Sequence, residues 1–171
     1  THLLSSAASD VYKRQGNAVA RQLALSGAKV TLVARSEDLL VNTINELNKL
    51  TDCKHEYIIC DYNDHEKYSK KIGQYLANNR IDILINNTQG PKSGDVNSLS
   101  IEDYQKAFDL LFKNTVFTTM LAIENMKKNS WGRIINMTSV SVKEPLSYLA
   151  LSNYMRSSVI SWAKTLSNDI G

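Results

Sequence analysis

The residues able to do chemistry in this chain gather at the ends of two apolar strands. Residues 81–85 (Ile-Asp-Ile-Leu-Ile) run into Asn86-Asn87-Thr88-Gln89-Gly90-Pro91, and residues 133–137 (Arg-Ile-Ile-Asn-Met) run into Thr138-Ser139. An Ile/Leu run of this length, bounded by turn residues, is the pattern of a parallel strand buried on both faces. In an open α/β sheet, ligands bind just beyond the carboxyl ends of such strands. Amides and hydroxyls able to hydrogen-bond a small molecule therefore fall where ligands sit. For one strand alone, Asn, Thr and Gly read as caps and turn formers; two matching strands with helices around them favour a site. Further on, Tyr148, Ser152 and Arg156 recur at i, i+4 and i+8. They share one face if their helix begins early enough, which would align a phenol, a hydroxyl and a permanent cation.

Alternating helices and strands must position these groups. A stripe through Val19 and Leu23 predicts a helix closed by Gly27 at its C′ position. Strands are expected near 29–34, 54–60, 81–86 and 132–138. Ser36 is placed to cap a helix buried through Leu40, Ile44 and Leu47, with Glu37 and Asp38 at its positive end. Tyr68, Ile72 and Leu76 mark another helix, and Ser100-Ile101-Glu102-Asp103 is a capping box opening a long one. A last helix runs from about 149 to 169. This alternation implies right-handed βαβ crossovers and a parallel sheet. The 171 residues are 43% hydrophobic with a net charge of +3, which fits one globular domain. Basic residues are scattered, so no nucleic-acid partner is implied, and no apolar run reaches the length of a membrane span. Cys53 and Cys60 stand at the two ends of one strand, about 23 Å apart, too far for a disulfide. A reducing, cytoplasmic setting fits. His2, His55 and His65 show no metal-ligand spacing, so no metal is expected.

Residues 5–15 (SSAASDVYKRQ) resemble the in-frame translation of a sequencing-library adapter. Residues 1–15 are accordingly set aside as non-native, and 16–171 are read as a partial dinucleotide-binding domain. From Gly16 to Gly171 the chain resembles the middle of the short-chain dehydrogenases/reductases. Gly16-Asn17-Ala18-Val19-Ala20 resembles the last glycine of the family's phosphate loop and the helix behind it. Asp61 resembles its adenine-contacting acid, Asn86-Asn87-Thr88-Gln89 stands where the family has Asn-Asn-Ala-Gly, and residues 133–139 resemble the strand ending in its catalytic serine. The resemblance implies an α/β, Rossmann-like parallel sheet with helices on both faces. It also implies that the native first strand and the C-terminal segment are missing. In the family's order the first strand is central, and nothing in 1–15 beyond residues 2–4 reads as a buried strand. A gap or a poor substitute is expected there, with exposed apolar edges and an unstable, aggregating chain.

The same resemblance assigns roles. Gly16, Arg35, Ser36, Asp61, Asn87 and Arg156 are expected to bind cofactor. Arg35, with no acid before Glu37, favours NADP(H) over NAD(H); the alternative is a solvated surface arginine. The family's catalytic set is Asn-Ser-Tyr-Lys. Ser139 matches its serine, but the tyrosine position holds Ser152, the lysine position Arg156, and the asparagine position Leu111, with Asn114 nearly a turn on. A serine is a poor acid near neutral pH, so Tyr148 is the substitute donor, its alternative being a loop or core tyrosine. The implied function is an NADP(H)-dependent oxidoreductase acting on a small carbonyl or alcohol substrate, similar to 3-oxoacyl carrier-protein reductases. The alternative is a catalytically silent dinucleotide-binding protein. A homo-oligomer through the helices at 101–127 and 149–169 is implied for the parent protein.

Overall fold

The structure is a computed structural model describing residues 1–6 and 10–170. Its strands are β1 (His2–Ser6), β2 (Lys29–Ala34), β3 (Glu56–Ile59), β4 (Ile83–Asn86) and β5 (Arg133–Asn136). All pair in parallel, in the order β3-β2-β1-β4-β5. The helices are α1 (Asp10–Leu25), α2 (Glu37–Leu50), α3 (His65–Asn78), α4 (Ile101–Ala107), α5 (Asn114–Lys128) and α6 (Ala150–Ile170). A π-helical segment, Phe108–Lys113, joins α4 to α5.

Of the two forms expected at the centre of the sheet, a gap or a poor substitute, the structure shows a bridging strand: β1 pairs with β2 over five residues and with β4 over three. Strand pairing is a backbone interaction, so a short segment with two well-placed leucines suffices. Alternation sends Leu3 and Leu4 to opposite faces, and both are essentially fully buried. Leu3 joins Ala20, Ala24, Leu40 and Ile44 under α1 and α2; Leu4 joins Tyr68, Ile72, Leu110 and Met126 on the other face. Burial of each leucine contributes about 1.5–3 kcal/mol. Ser5 is a poorer fit, because its buried Oγ has no hydrogen-bond partner among the described residues. Within the stretch set aside, residues 2–6 supply the central strand and residues 10–15 the first turns of α1. The adapter-like reading of 5–15 also covers residues 7–9, which lie outside the described residues.

The other elements follow their sequence signals closely. α1 stops where Gly27 takes φ +85°. There Gly27 N–H donates to Ala24 O and Ala28 N–H to Leu23 O, the Schellman arrangement that only a residue free of Cβ strain closes cheaply. At α4, Ser100 and Asp103 form the full capping box. Cys53 and Cys60 are free. No described helix is long and apolar enough to cross a membrane.

His55 extends the β2–β3 seam. Its Nδ1 accepts from Val30 N–H at 3.0 Å, which leaves Nε2 carrying the proton toward Thr51 Oγ1 at 2.8 Å. Burial holds the ring's pKa below the usual 6.5. The folded chain therefore resists a proton that the unfolded chain accepts. Stability from this ring is complete above about 6.5 and is lost as pH falls below it. His2 is shifted the same way, chiefly by burial. Urea denaturation should give a lower midpoint at pH 5 than at pH 7. His55→Asn, which keeps an acceptor for Val30 but cannot titrate, should show a shallower drop; an equal drop would remove His55 as a source.

Candidate functional site

The parallel sheet sets the residues that follow its strands in a row along one edge. In spatial order these are Asp61 after β3, Arg35 after β2, then, across the central strand β1, Asn87 after β4 and Ser139 beyond β5. Four inter-strand spacings make the row about 19 Å across, a length suited to an extended two-part ligand.

At the β2–β3 end, Arg35 and Ser36 are exposed. Ser36 occupies the N-cap position of α2, but its side chain makes no capping bond. The expected cap is absent. Asp61 Oδ1 accepts from both the backbone and the side-chain amide of Asn63, each at 2.9 Å. Asn87 is 1% exposed at the far side of the central strand. Gly16 is placed differently from expectation. α1 begins at Asp10 rather than behind Gly16, so Gly16 is buried inside the helix and forms no phosphate loop. Residues 10–15 include Asp, Lys, Arg and Gln, which favour helix starts and interiors and let the helix run back.

At the β5 end, two of the expected catalytic residues meet. Arg156, 3% exposed, sends Nη1 to Met137 O at 2.9 Å and Nε to Ser152 Oγ at 3.3 Å. The guanidinium ties α6 to the chain leaving β5, two residues before Ser139. Thr88, Leu111, Thr115, Asn136, Thr138 and Arg156 line a small cavity there. Ser139 is half-buried and caps the turn Val140–Val142. Tyr148 does not join them. Since α6 begins at Ala150, Tyr148 precedes the helix and the i, i+4, i+8 face never includes it; the side chain is 59% exposed. Its carbonyl instead accepts from Gly94 N–H at 2.8 Å, stitching the loop after β4 to the entrance of α6.

Leu111 lies buried inside the π segment, and its carbonyl accepts from Thr115 Oγ1 at 2.7 Å. Asn114 reaches toward the turn after β3. Its Nδ2 donates to Tyr62 O at 2.8 Å, and its Oδ1 lies 2.6 Å from His65 Nδ1, which must carry the proton. Asn114 thus ties the start of α5 to the turn after Asp61.

Comparison with known proteins agrees with this geometry. Residues 15–170 match the family described as short chain dehydrogenase. Over 131 residues the chain is 27% identical to 3-ketodihydrosphingosine reductase of Mus musculus, covering 72% of this chain and 39% of that protein. Over 129 residues it is 27% identical to acetoacetyl-CoA reductase of Acinetobacter sp., covering 74% and 52%. Among solved structures, NAD+-bound xylitol dehydrogenase superposes with a TM-score of 0.82 at 18% identity, covering 99% of this chain and 65% of that one. A variant of actinorhodin polyketide ketoreductase with NADPH gives 0.82 at 20% identity, with the same coverage. The chain thus spans about half the length, or less, of these two curated relatives, and it belongs to the short-chain dehydrogenase family.

Asn114→Ala should lower the unfolding free energy by about 1–3 kcal/mol, because the buried Tyr62 carbonyl loses its donor. Denaturant melts check this. A neutral result would mean that Tyr62 finds another partner.

Proposed function

We propose that the parent protein is an NADP(H)-dependent carbonyl reductase acting on 3-oxoacyl-type substrates, with an altered proton donor. The observation that carries this reading is the row along the sheet edge, with a phosphate-type donor pair at one end and Ser139 beside the Ser152–Arg156 pair at the other. The named activities of the two relatives above, one on a 3-keto lipid base and one on acetoacetyl-CoA, support the substrate class. So do Val96 and Val140, 67% and 80% exposed, which flank the Gly94 loop and Ser139.

The cofactor supplies hydride when bound; this chain's residues hold and orient. Arg35 offers a planar donor fork, and Ser36 a free hydroxyl, to a 2′-phosphate. Asp61 faces the adenine end, and Asn87 the ribose near the reacting ring. Gly16 does not contribute a cradle, so phosphate contacts fall to the N-terminal end of α1. Arg156 holds the nicotinamide ribose, and Ser139 donates to the substrate oxygen, favouring the charge that develops there. The proton comes from the Tyr148 phenol or from a water held by Ser152. The parent assembles as a homo-oligomer through α4–α5 and α6, where Phe108, Met120 and Tyr154 are exposed. One observation favours a second reading, a silent dinucleotide-binding protein: no tyrosine stands on the Ser152–Arg156 face of α6.

Two measurements test the proposal. Arg35→Asp should lower the preference for NADPH over NADH by about tenfold or more, the worth of one charge-assisted contact; an unchanged ratio would remove Arg35 from the site. In ketone reduction by the full-length protein, Ser139→Ala should cut turnover by about 10²–10⁴-fold. A similar loss in Tyr148→Phe makes the phenol the acid, and full activity there assigns the proton to water on Ser152. If wild type reduces no ketone, the silent reading stands.

A further inference from the structure

Ser141 has no role in the reading above, yet it is 0% exposed and touches the key hydroxyl twice. Its backbone N–H donates to Ser139 Oγ at 3.2 Å, and its own Oγ donates to the same atom at 3.0 Å. A serine hydroxyl has one proton and two acceptor positions. The N–H of Ser141 can only donate, so it fixes one acceptor position of Ser139 Oγ. If the Ser141 hydroxyl fills the other, Ser139 can act only as a donor, with its proton turned away from the Val140–Val142 turn.

We propose that Ser141 is a positioning residue that fixes the polarity of Ser139, making it a dedicated hydrogen-bond donor to the substrate oxygen. This deepens the reductase reading and rests on it for the identity of the acceptor. The arrangement itself is a property of the folded chain. It follows from the turn: with Ser139 extended at φ −141° and the next residues in a tight 3₁₀ turn, the side chain at i+2 comes back under the cap. Burial keeps water from competing for the Ser139 acceptor positions. A freely rotating serine spends part of its time accepting from water or ligand; this one presents a proton of fixed direction, which is how preorganised donors assist a developing oxyanion.

The test separates this arrangement from catalysis. Ser139→Cys places an acceptor sulfur at the same point, in a background where Cys53 is replaced by serine. The pH dependence of its alkylation, read peptide by peptide by mass spectrometry, gives the thiol's pKa. Two donors aimed at the sulfur stabilise the thiolate. Adding Ser141→Ala removes one and should raise that pKa by about one pH unit, a tenfold smaller thiolate fraction at neutral pH. Ser141→Thr, which keeps the hydroxyl, should restore it. A merely structural role would not follow the hydroxyl in this way, and an unchanged pKa in Ser141→Ala overturns the proposal. A turnover cycle gives a second reading in the enzyme. Ser141→Ala should lower kcat about tenfold with Ser139 present and leave the residual rate unchanged in Ser139→Ala; equal losses in both backgrounds overturn it. Wild-type inactivity toward ketones fails the reductase reading alone, since the thiol measurement still decides the role of Ser141.

Discussion

The architecture hangs on the hydrogen bonding of one short strand. β1 is five residues long, yet it pairs on both sides and divides the core in two through Leu3 and Leu4. Without it, β2 and β4 would be open edges, and the row from Asp61 to Ser139 would break into two unrelated groups. With it, neighbouring strands keep a fixed spacing, and the residues that leave their carboxyl ends inherit that spacing. The buried Ser5 hydroxyl, without a partner among the described residues, fits a slot filled by backbone pairing more than by side-chain fit. An unmade bond of that kind costs about 1–3 kcal/mol, comparable to the gain from one of the leucines beside it.

The catalytic end adds a second constraint. Arg156 is a buried cation that donates to a backbone carbonyl and to a hydroxyl. Its fork fixes the distance between α6 and the chain leaving β5, and so the position of Ser139 relative to the helix. A lysine is a point charge on a flexible stem and would not bridge Met137 and Ser152 in the same planar way. The arginine thus trades a group that can move a proton for one that holds geometry. The π segment works in the same direction. It places Leu111 in the core and sends Asn114 toward Tyr62 and His65, so both ends of the row are braced by the same helix pair.

Most of the fold was legible because its signals are local. The strands at 29–34 and 81–86, the Gly27 stop, the Ser100 capping box and the stripe of Tyr68, Ile72 and Leu76 all rest on side-chain periodicity or turn chemistry within a few residues. What escaped depends on contacts distant in sequence. β1 reads as a strand only beside Lys29–Ala34 and Ile83–Asn86, because two of its five residues are serine. The early start of α1 follows from residues 10–15 having good helix propensity, a signal overlooked once they were set aside as foreign. The π segment has no sequence mark; it comes with Thr115 bonding back to Leu111 and Asn114 reaching across to Tyr62. In the candidate site, Ser152 and Arg156 come from the family resemblance, and the structure joins them by a hydrogen bond. Tyr148 was placed on their face by a spacing that holds only inside a helix, and the helix starts two residues too late. Ser141 gave no signal, since a serine two positions beyond another is common in any turn.

These arrangements set what kind of catalyst the site can be. Serine hydroxyls do not ionise near neutral pH, and arginine does not lose its proton there. Ser139, Ser152 and Arg156 therefore offer hydrogen bonds and charge of fixed sign, with no group among them that changes protonation state during a cycle. Such a set can stabilise an oxyanion but cannot create the acid that quenches it. In the proposed reaction the proton therefore comes from a group of another kind, either the Tyr148 phenol on the rim, where the Tyr148 carbonyl holds Gly94, or a water held by Ser152. A Ser139 hydroxyl that only donates would have value in that reaction, because it cannot take up the incoming proton or turn a lone pair toward the substrate oxygen. The two candidate donors then divide by place: the Ser152 water on the inner face with Arg156, and the Tyr148 phenol on the rim, because α6 begins after Tyr148 rather than before it.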